Sequence, residues 1–228
     1  MTIFKSRPDY HKVYATANEY LATAKSIENF PFEVKPFLEE QSDIKICSFK
    51  KAREKYKVPI EEFGSESAFI SEDFGRTIIF YNQEEPKYRV RFSILHEFAH
   101  YIFGHKTNFK ENAQKYQIQE LEANYFAAQM LMPEQILLEF GYKRGINLTP
   151  QFIMQVFGVS YEAASIRIKT LSKIQSKWRS REEKEFDDVI VAKYATIVDQ
   201  IAPKIFNRYE FEDEYERQLE RNSWFAVR

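Results

Sequence analysis

The sequence predicts an α+β fold in which a small three-stranded sheet is followed by a chain that stays helical to its end. Three observations carry this. Short stretches between residues 43 and 82 alternate apolar and polar residues, as half-buried strands do. The period changes to a helical one at Pro86. From there every apolar stretch keeps helical spacing.

The elements follow in order. From Asp9 to Asn29, Tyr10, Val13, Tyr14, Ala17, Tyr20 and Leu21 repeat at helical intervals, and the helix ends near "FPFEVKP". A short helix is expected around Pro36 to Glu40. "DIKICSF" (Asp43 to Phe49), "SAFISED" and "RTIIFYN" read as three strands, punctuated by "FGR" and "NQEEP". After Pro86, Ile94, Phe98 and Ile102 form one stripe, Leu95, Ala99 and Phe103 form its neighbour, and Gly104 supplies a stop. The polar run "KTNFKENAQKYQ" then leads to a helix from Ile118 to Met132, closed by Pro133. "LTPQFIMQVFGVSYEAASIRIKTL" reads as helix, tight turn at Phe157 to Ser160, and helix, and Ile190 to Ile201 marks another before Pro203.

Composition limits the function classes. With 228 residues, 44% hydrophobic and 16% aromatic, the chain can bury a substantial core. Its 33 basic and 34 acidic side chains leave a net charge of −1, so no global field draws in nucleic acid or an anionic membrane. One cysteine, Cys47, excludes an internal disulfide. The opening residues lack an apolar signal core, and no run approaches the length that spans a bilayer. These features favour the cytoplasm and no membrane partner.

Three of the four histidines fall within "ILHEFAHYIFGH" (Ile94 to His105). On a helix, residues four apart lie about 40° from one another, so His96 and His100 point the same way one turn apart and can bind one ion. Glu97 sits about 100° round from His96, where it can reach a water without joining the metal and act as general base. A catalytic zinc normally takes three protein ligands, so two histidines are not enough.

Two residues compete for the third place. The metzincin pattern H-E-x-x-H-x-x-G-x-x-H would use a later histidine, but here Gly104 comes one residue too late and His105 one too early. Were the helix to continue, His105 would lie about 180° from His96, which suits a surface or helix-end histidine. The better candidate is Glu120, in "QELEANYFAAQMLMP" on a separate helix, flanked by Ala123 and Ala127, which permit close helix approach. Asn124, one turn on, can hydrogen-bond a histidine ring nitrogen and fix its orientation. Glu122 lies about 200° from Glu120, beside Gln129, and is expected to face water.

"RFSILHEFAHYIFGH", followed by "ELEANYFAAQMLMP", resembles the signature of the ImmA/IrrE family of metallopeptidases, a branch of the zincins with a glutamate as third ligand. The resemblance covers about Asp43 to Pro133 and extends less closely to about Lys173. It implies a zincin-like metallopeptidase domain, placed over residues 1–135; helical spacing, and not the resemblance, adds a helix-turn-helix-like segment over 136–175 and a C-terminal helical extension over 176–228. It further implies a Zn2+ cofactor held by His96, His100 and Glu120, Glu97 as catalytic base, and an endopeptidase that cleaves a helix-turn-helix repressor of a phage or mobile element. Tyr101 and His105 are candidates for holding the oxyanion. "RTIIFYN" reads as a core strand or as a sheet edge that pairs with substrate.

Two other functions compete. A DNA-binding regulator would rest on the segment Thr149 to Leu171, whose second helix offers Arg167 and Lys169 beside Glu162; two basic groups are few for phosphate anchoring, and direct DNA binding is not expected. A protein-interaction module would keep the fold without protease activity. The charged runs "RSREEKEFDD" and "EFEDEYERQLER" read as solvated helix faces or as docking surfaces for a partner.

Overall fold

Strands β1 (Lys45–Ser48), β2 (Ala68–Asp73) and β3 (Arg76–Tyr81) form one mixed sheet in the order β1-β3-β2. The computed structural model describes residues 7–41, 44–59, 65–73, 76–105, 112–171 and 180–203. β1 runs parallel to β3 and β2 antiparallel to it, with Ile46, Ile79 and Ile70 in one cross-strand row and Cys47, Phe80 and Phe69 in the next. Because side chains alternate along a strand, the two rows face opposite ways. The isoleucines join the main core, and the second row makes a small cluster with Phe49 and Ala52. β3 is therefore the central strand, which corrects its reading as a substrate-pairing edge: both of its sides are already paired.

The helices are α1 (Tyr10–Thr23), α2 (Val34–Gln41), the short α3 (Phe49–Lys51), α4 (Lys87–Phe103), α5 (Ala113–Leu131), α6 (Glu134–Leu138), α7 (Pro150–Phe157), α8 (Tyr161–Leu171), α9 (Arg181–Lys193) and α10 (Ala195–Ile201). α3 and α6 each run on into a single π-helical stretch, Ala52–Tyr56 and Glu139–Lys143. Several bounds differ from the pattern-based ones for local reasons. α1 stops at Thr23 because Ala24 turns to extended backbone (ψ 123°). α5 begins five residues before Ile118 because the Asn112 side chain accepts from the Lys115 N–H and caps it. The helix expected from Ile190 to Ile201 is broken at Tyr194, a buried residue whose hydroxyl donates to the Leu21 carbonyl at 3.0 Å. "EFEDEYERQLER" lies outside the described residues, as do parts of "FGR" and "KTNFKENAQKYQ".

α4 is the central element, with the sheet on one side and α5 on another. Its apolar stripe, Ile94, Leu95, Phe98 and Ala99, is buried, and Phe98 packs edge-on against Phe37 and tilted against Phe126. Ala123 and Ala127 of α5 are fully buried. α1 covers the opposite face of α5, and α9 lies on α1, where the Tyr14 hydroxyl and Gln135 both donate to Asp187. On this helix Ile190 is buried and Phe186 half-buried, while Val189 is exposed.

The helix-turn-helix-like pair α7–α8 is docked on α4. Arg91 Nη1 donates to the carbonyls of Phe157 and Gly158, both at 3.0 Å. Gly158 has a left-handed φ of 59°, and a Cβ there would stand 3.0 Å from Pro31 and 3.1 Å from Arg91. Arg167, on the helix that a DNA reader would present, is 2% exposed and donates to Gln129 Oε1 and to the Met132 carbonyl. It is unavailable to phosphate. Of the two basic groups proposed for DNA contact only Lys169 is exposed, which removes the main support for that reading.

Candidate metal centre

α4 and α5 present their polar residues to one another at a single point. His96 and His100 stand one turn apart on α4 with Nε2 atoms 2.9 Å from each other. The Glu120 carboxylate of α5 reaches both, with Oε2 at 3.4 Å from His96 Nε2 and Oε1 at 3.3 Å from His100 Nε2. One donor atom from each residue lies within 4.8 Å of the others. The imidazoles are 15% and the carboxylate 29% exposed, so the cluster opens to solvent on one side.

The outer ring nitrogens are also engaged. His96 Nδ1 lies 3.0 Å from Asn124 Oδ1, and His100 Nδ1 lies 3.0 Å from His105 Nδ1. An amide oxygen only accepts, so His96 Nδ1 carries a proton, and an ion that displaces the proton on Nε2 would find that lone pair on the Glu120 side. Two imidazole lone pairs and a carboxylate, aimed at one point and partly open to water, suit a borderline cation such as zinc.

Glu97 lies beside this group. Burial is the chief influence on its carboxyl and raises the pKa; His96 and His100 oppose it, Glu120 adds to it, and the Ile70 N–H of β2, which donates to Glu97, opposes it, for a net rise. His96 is raised although burial, the largest influence, lowers it, because the hydrogen bond and charge of Glu120, with Glu97 and Asn124, outweigh that. Hydrogen bonds from His100 and His96 hold Glu120 well below the usual carboxylate range, against burial.

A match to the family model described as the IrrE N-terminal-like domain, of the peptidase M78 family, covers residues 39–169. The chain belongs to that family, the ImmA/IrrE metallopeptidases. No match among curated proteins was found. The M78 fold accounts for the small sheet, the α4–α5 pair and the helical part that follows, and the family makes the chain a peptidase, a hydrolase acting on protein, with a metal that is typically zinc. Among the described residues no helix is long and apolar enough to cross a membrane.

Within this M78 site, three residues stand differently from their sequence-based placement. His105 is not on the surface: its side chain is 5% exposed. Gly104 takes a left-handed φ of 67° and ends α4, and the His105 N–H returns to the His100 carbonyl at 2.9 Å. The chain thereby reverses, and the ring comes beside that of His100 instead of continuing round the helix. Burial first, then His100, lowers its pKa to about 4 against the pull of Glu122. Glu122 does not face water. It accepts from His105 Nε2 at 3.0 Å and from the Asp9 N–H at 2.7 Å, because α1 covers the face of α5 that a two-helix picture leaves open. Its supposed solvent neighbour Gln129 is fully buried as well.

His105 therefore lies behind His100, away from where an oxyanion would form, and Tyr101 is 40% exposed. Sequence reasoning missed Tyr116. One turn before Glu120 on α5, its phenol hydrogen-bonds the Glu120 carboxylate; burial, then the charge and hydrogen bond of Glu120, and the charge of Glu97 raise its pKa. Its i−4 spacing from Glu120 was the available signal.

Proposed function

We propose that the chain is a zinc-dependent, site-specific endopeptidase of the cytoplasm that cleaves a helix-turn-helix transcriptional repressor of a phage or mobile element. The convergence of His96, His100 and Glu120, with the Glu97 carboxylate at its side, carries the metallopeptidase part of this reading. The repressor as substrate rests on the resemblance to ImmA/IrrE proteins.

His96, His100 and Glu120 would hold the ion. A zinc ion supplies a Lewis acid that polarises a carbonyl and brings the pKa of water toward neutrality. Glu97 takes the proton of the attacking water and passes it to the leaving amine. A carboxyl with a raised pKa suits a group that must both accept and give one. The Ile70 N–H holds Glu97 in place and ties it to β2, the outer strand on that side of the sheet. An extended peptide laid along β2 would bring its scissile carbonyl past Glu97. Asn124 orients His96, and the Tyr116 hydroxyl, which meets the Glu120 carboxylate, is a side-chain donor for the developing oxyanion.

The test is co-expression with the product of each neighbouring gene, wild type beside Glu97→Gln, together with elemental analysis of the purified protein. About one zinc per chain and a repressor fragment seen only with wild type are expected. A folded, zinc-supplemented protein that holds no transition metal overturns the metallopeptidase mechanism. Zinc uptake with no repressor cut removes only the substrate assignment.

A further inference from the structure

The hydrogen-bond chain behind His100 has a direction. Glu122 stands at its far end and, as a carboxylate, only accepts, so His105 Nε2 must be the donor across their 3.0 Å contact. A neutral imidazole with its proton on Nε2 has a lone pair on Nδ1. Across the 3.0 Å between the two Nδ1 atoms, His100 must then donate. With Nδ1–H so engaged, Nε2, which faces His96 and Glu120, is the nitrogen left to bind an ion once its proton is displaced. The second oxygen of Glu122 is held by the Asp9 N–H at 2.7 Å, and Asp9 is the cap of α1, its side chain accepting from Lys12.

We propose that His105 and Glu122 form a positioning relay that locks His100 in its metal-binding tautomer, with the cap of α1 as its anchor. The relay rests on the metal site proposed above. Neither residue touches the reacting atoms. Their part is to hold a proton on His100 Nδ1 and the ring in one orientation, so that Nε2 is the nitrogen that binds metal. Outer partners of this kind change metal affinity about 10–100-fold when removed. The docking of α1 on α5 becomes a condition for tight metal binding, because the anchoring N–H comes from a residue 113 positions away in sequence.

The experiment is chelator competition for zinc at fixed pH with wild type, His105→Phe and His105→Gln. Phe fills the ring volume but can neither accept from His100 nor donate to Glu122. Gln offers an acceptor and a donor at nearly the spacing of the two ring nitrogens. We expect zinc affinity to fall about 10–100-fold in His105→Phe and to recover in His105→Gln, with circular dichroism of the metal-free proteins unchanged. In parallel, two-bond proton–nitrogen correlation on zinc-loaded wild type should show His105 protonated at Nε2 only. Equal affinity in a folded His105→Phe, or a proton on His105 Nδ1, overturns the relay while leaving the zinc site standing. Wild type that binds no zinc fails the metallopeptidase reading itself, and the relay with it. Should His105→Phe not fold, the tautomer measurement and the Gln variant decide alone.

Discussion

Glu120 and Glu122 stand two residues apart on α5 and serve opposite faces of it: Glu120 meets His96 and His100, and Glu122 meets His105 and the Asp9 N–H. The consequences of removing them should differ in degree: Glu120 would be a ligand, Glu122 an outer partner whose loss weakens zinc binding about 10–100-fold. Glu120→Ala takes a carboxylate from the proposed ion's donor set, so zinc affinity should collapse. Glu122→Ala leaves two donors without their acceptor beneath α1, so the metal-free protein should lose about 1–3 kcal/mol. Urea unfolding of the stripped proteins, beside chelator competition, checks both. An unchanged urea midpoint in Glu122→Ala would show that water replaces the carboxylate freely.

Glu97→Gln should keep zinc and fold but lose cleavage. The amide oxygen can still accept from the Ile70 N–H, so β2 keeps its place, yet the side chain can no longer take a proton. Metal content and a gel-based cleavage assay on one preparation suffice. Cleavage at the wild-type rate would remove Glu97 from the mechanism.

Tyr116→Phe isolates the oxyanion assignment. The hydroxyl is not itself in the donor set proposed for the metal but hydrogen-bonds its Glu120 carboxylate, so zinc affinity should fall by no more than the about 10–100-fold of a lost outer partner, while kcat at saturating zinc falls about 10²–10³-fold. The KM for the same repressor should move little. A loss confined to KM would place Tyr116 in substrate binding instead.

What could be read from the sequence was whatever depends on local periodicity. The alternation of Ile44 and Ile46 with Lys45 and Cys47 located β1, and the paired stripes of Ile94, Phe98 and Leu95, Ala99 located α4. The i, i+4 spacing of His96 and His100 is a property of one helix and needs no tertiary knowledge. What depends on a third element was not legible. Helix angles place Glu122 beside Gln129 and away from Glu120, but they carry no sign that α1 packs on that side and buries both. His105 was placed by continuing a helix that Gly104 ends, and the left-handed turn that folds the ring back cannot be inferred from angles around an axis. Arg167 read as a surface cation because arginines usually are; its burial follows from Gln129 and the Met132 carbonyl, on a different helix and its end.

Arg167→Met should test the burial of that arginine. Methionine matches much of the volume but cannot donate, leaving Gln129 Oε1 and the Met132 carbonyl short of a partner, so a loss of about 1–3 kcal/mol is expected. Wild type itself should give no salt-dependent shift of duplex DNA. A clear shift, lost in a Lys169→Ala variant of unchanged stability, would restore α8 as a DNA-contacting helix.

Glu183 offers a pH test away from the metal centre. It occupies the third position of α9, where its side chain accepts from the Ser180 N–H and the Ser180 side chain accepts from its own N–H, a reciprocal capping box. Burial, the largest single influence, raises its pKa, but the Ser180 N–H and the His11 ring 3.3 Å away together lower it below the ordinary carboxylate value. A carboxyl whose folded pKa is depressed binds protons more weakly folded than unfolded. Its stabilising effect is therefore complete above the unfolded pKa, near 4.3, and is lost as the pH falls through the lower folded value. Glutamine at the same position can still close the capping box, so Glu183→Gln removes the charge and little else. Wild type should exceed Glu183→Gln in urea midpoint at pH 7, and the two should converge as the pH is lowered through 4 toward 3. A gap of constant size across that range would mean that the pair differ by packing and not by the ionised carboxylate.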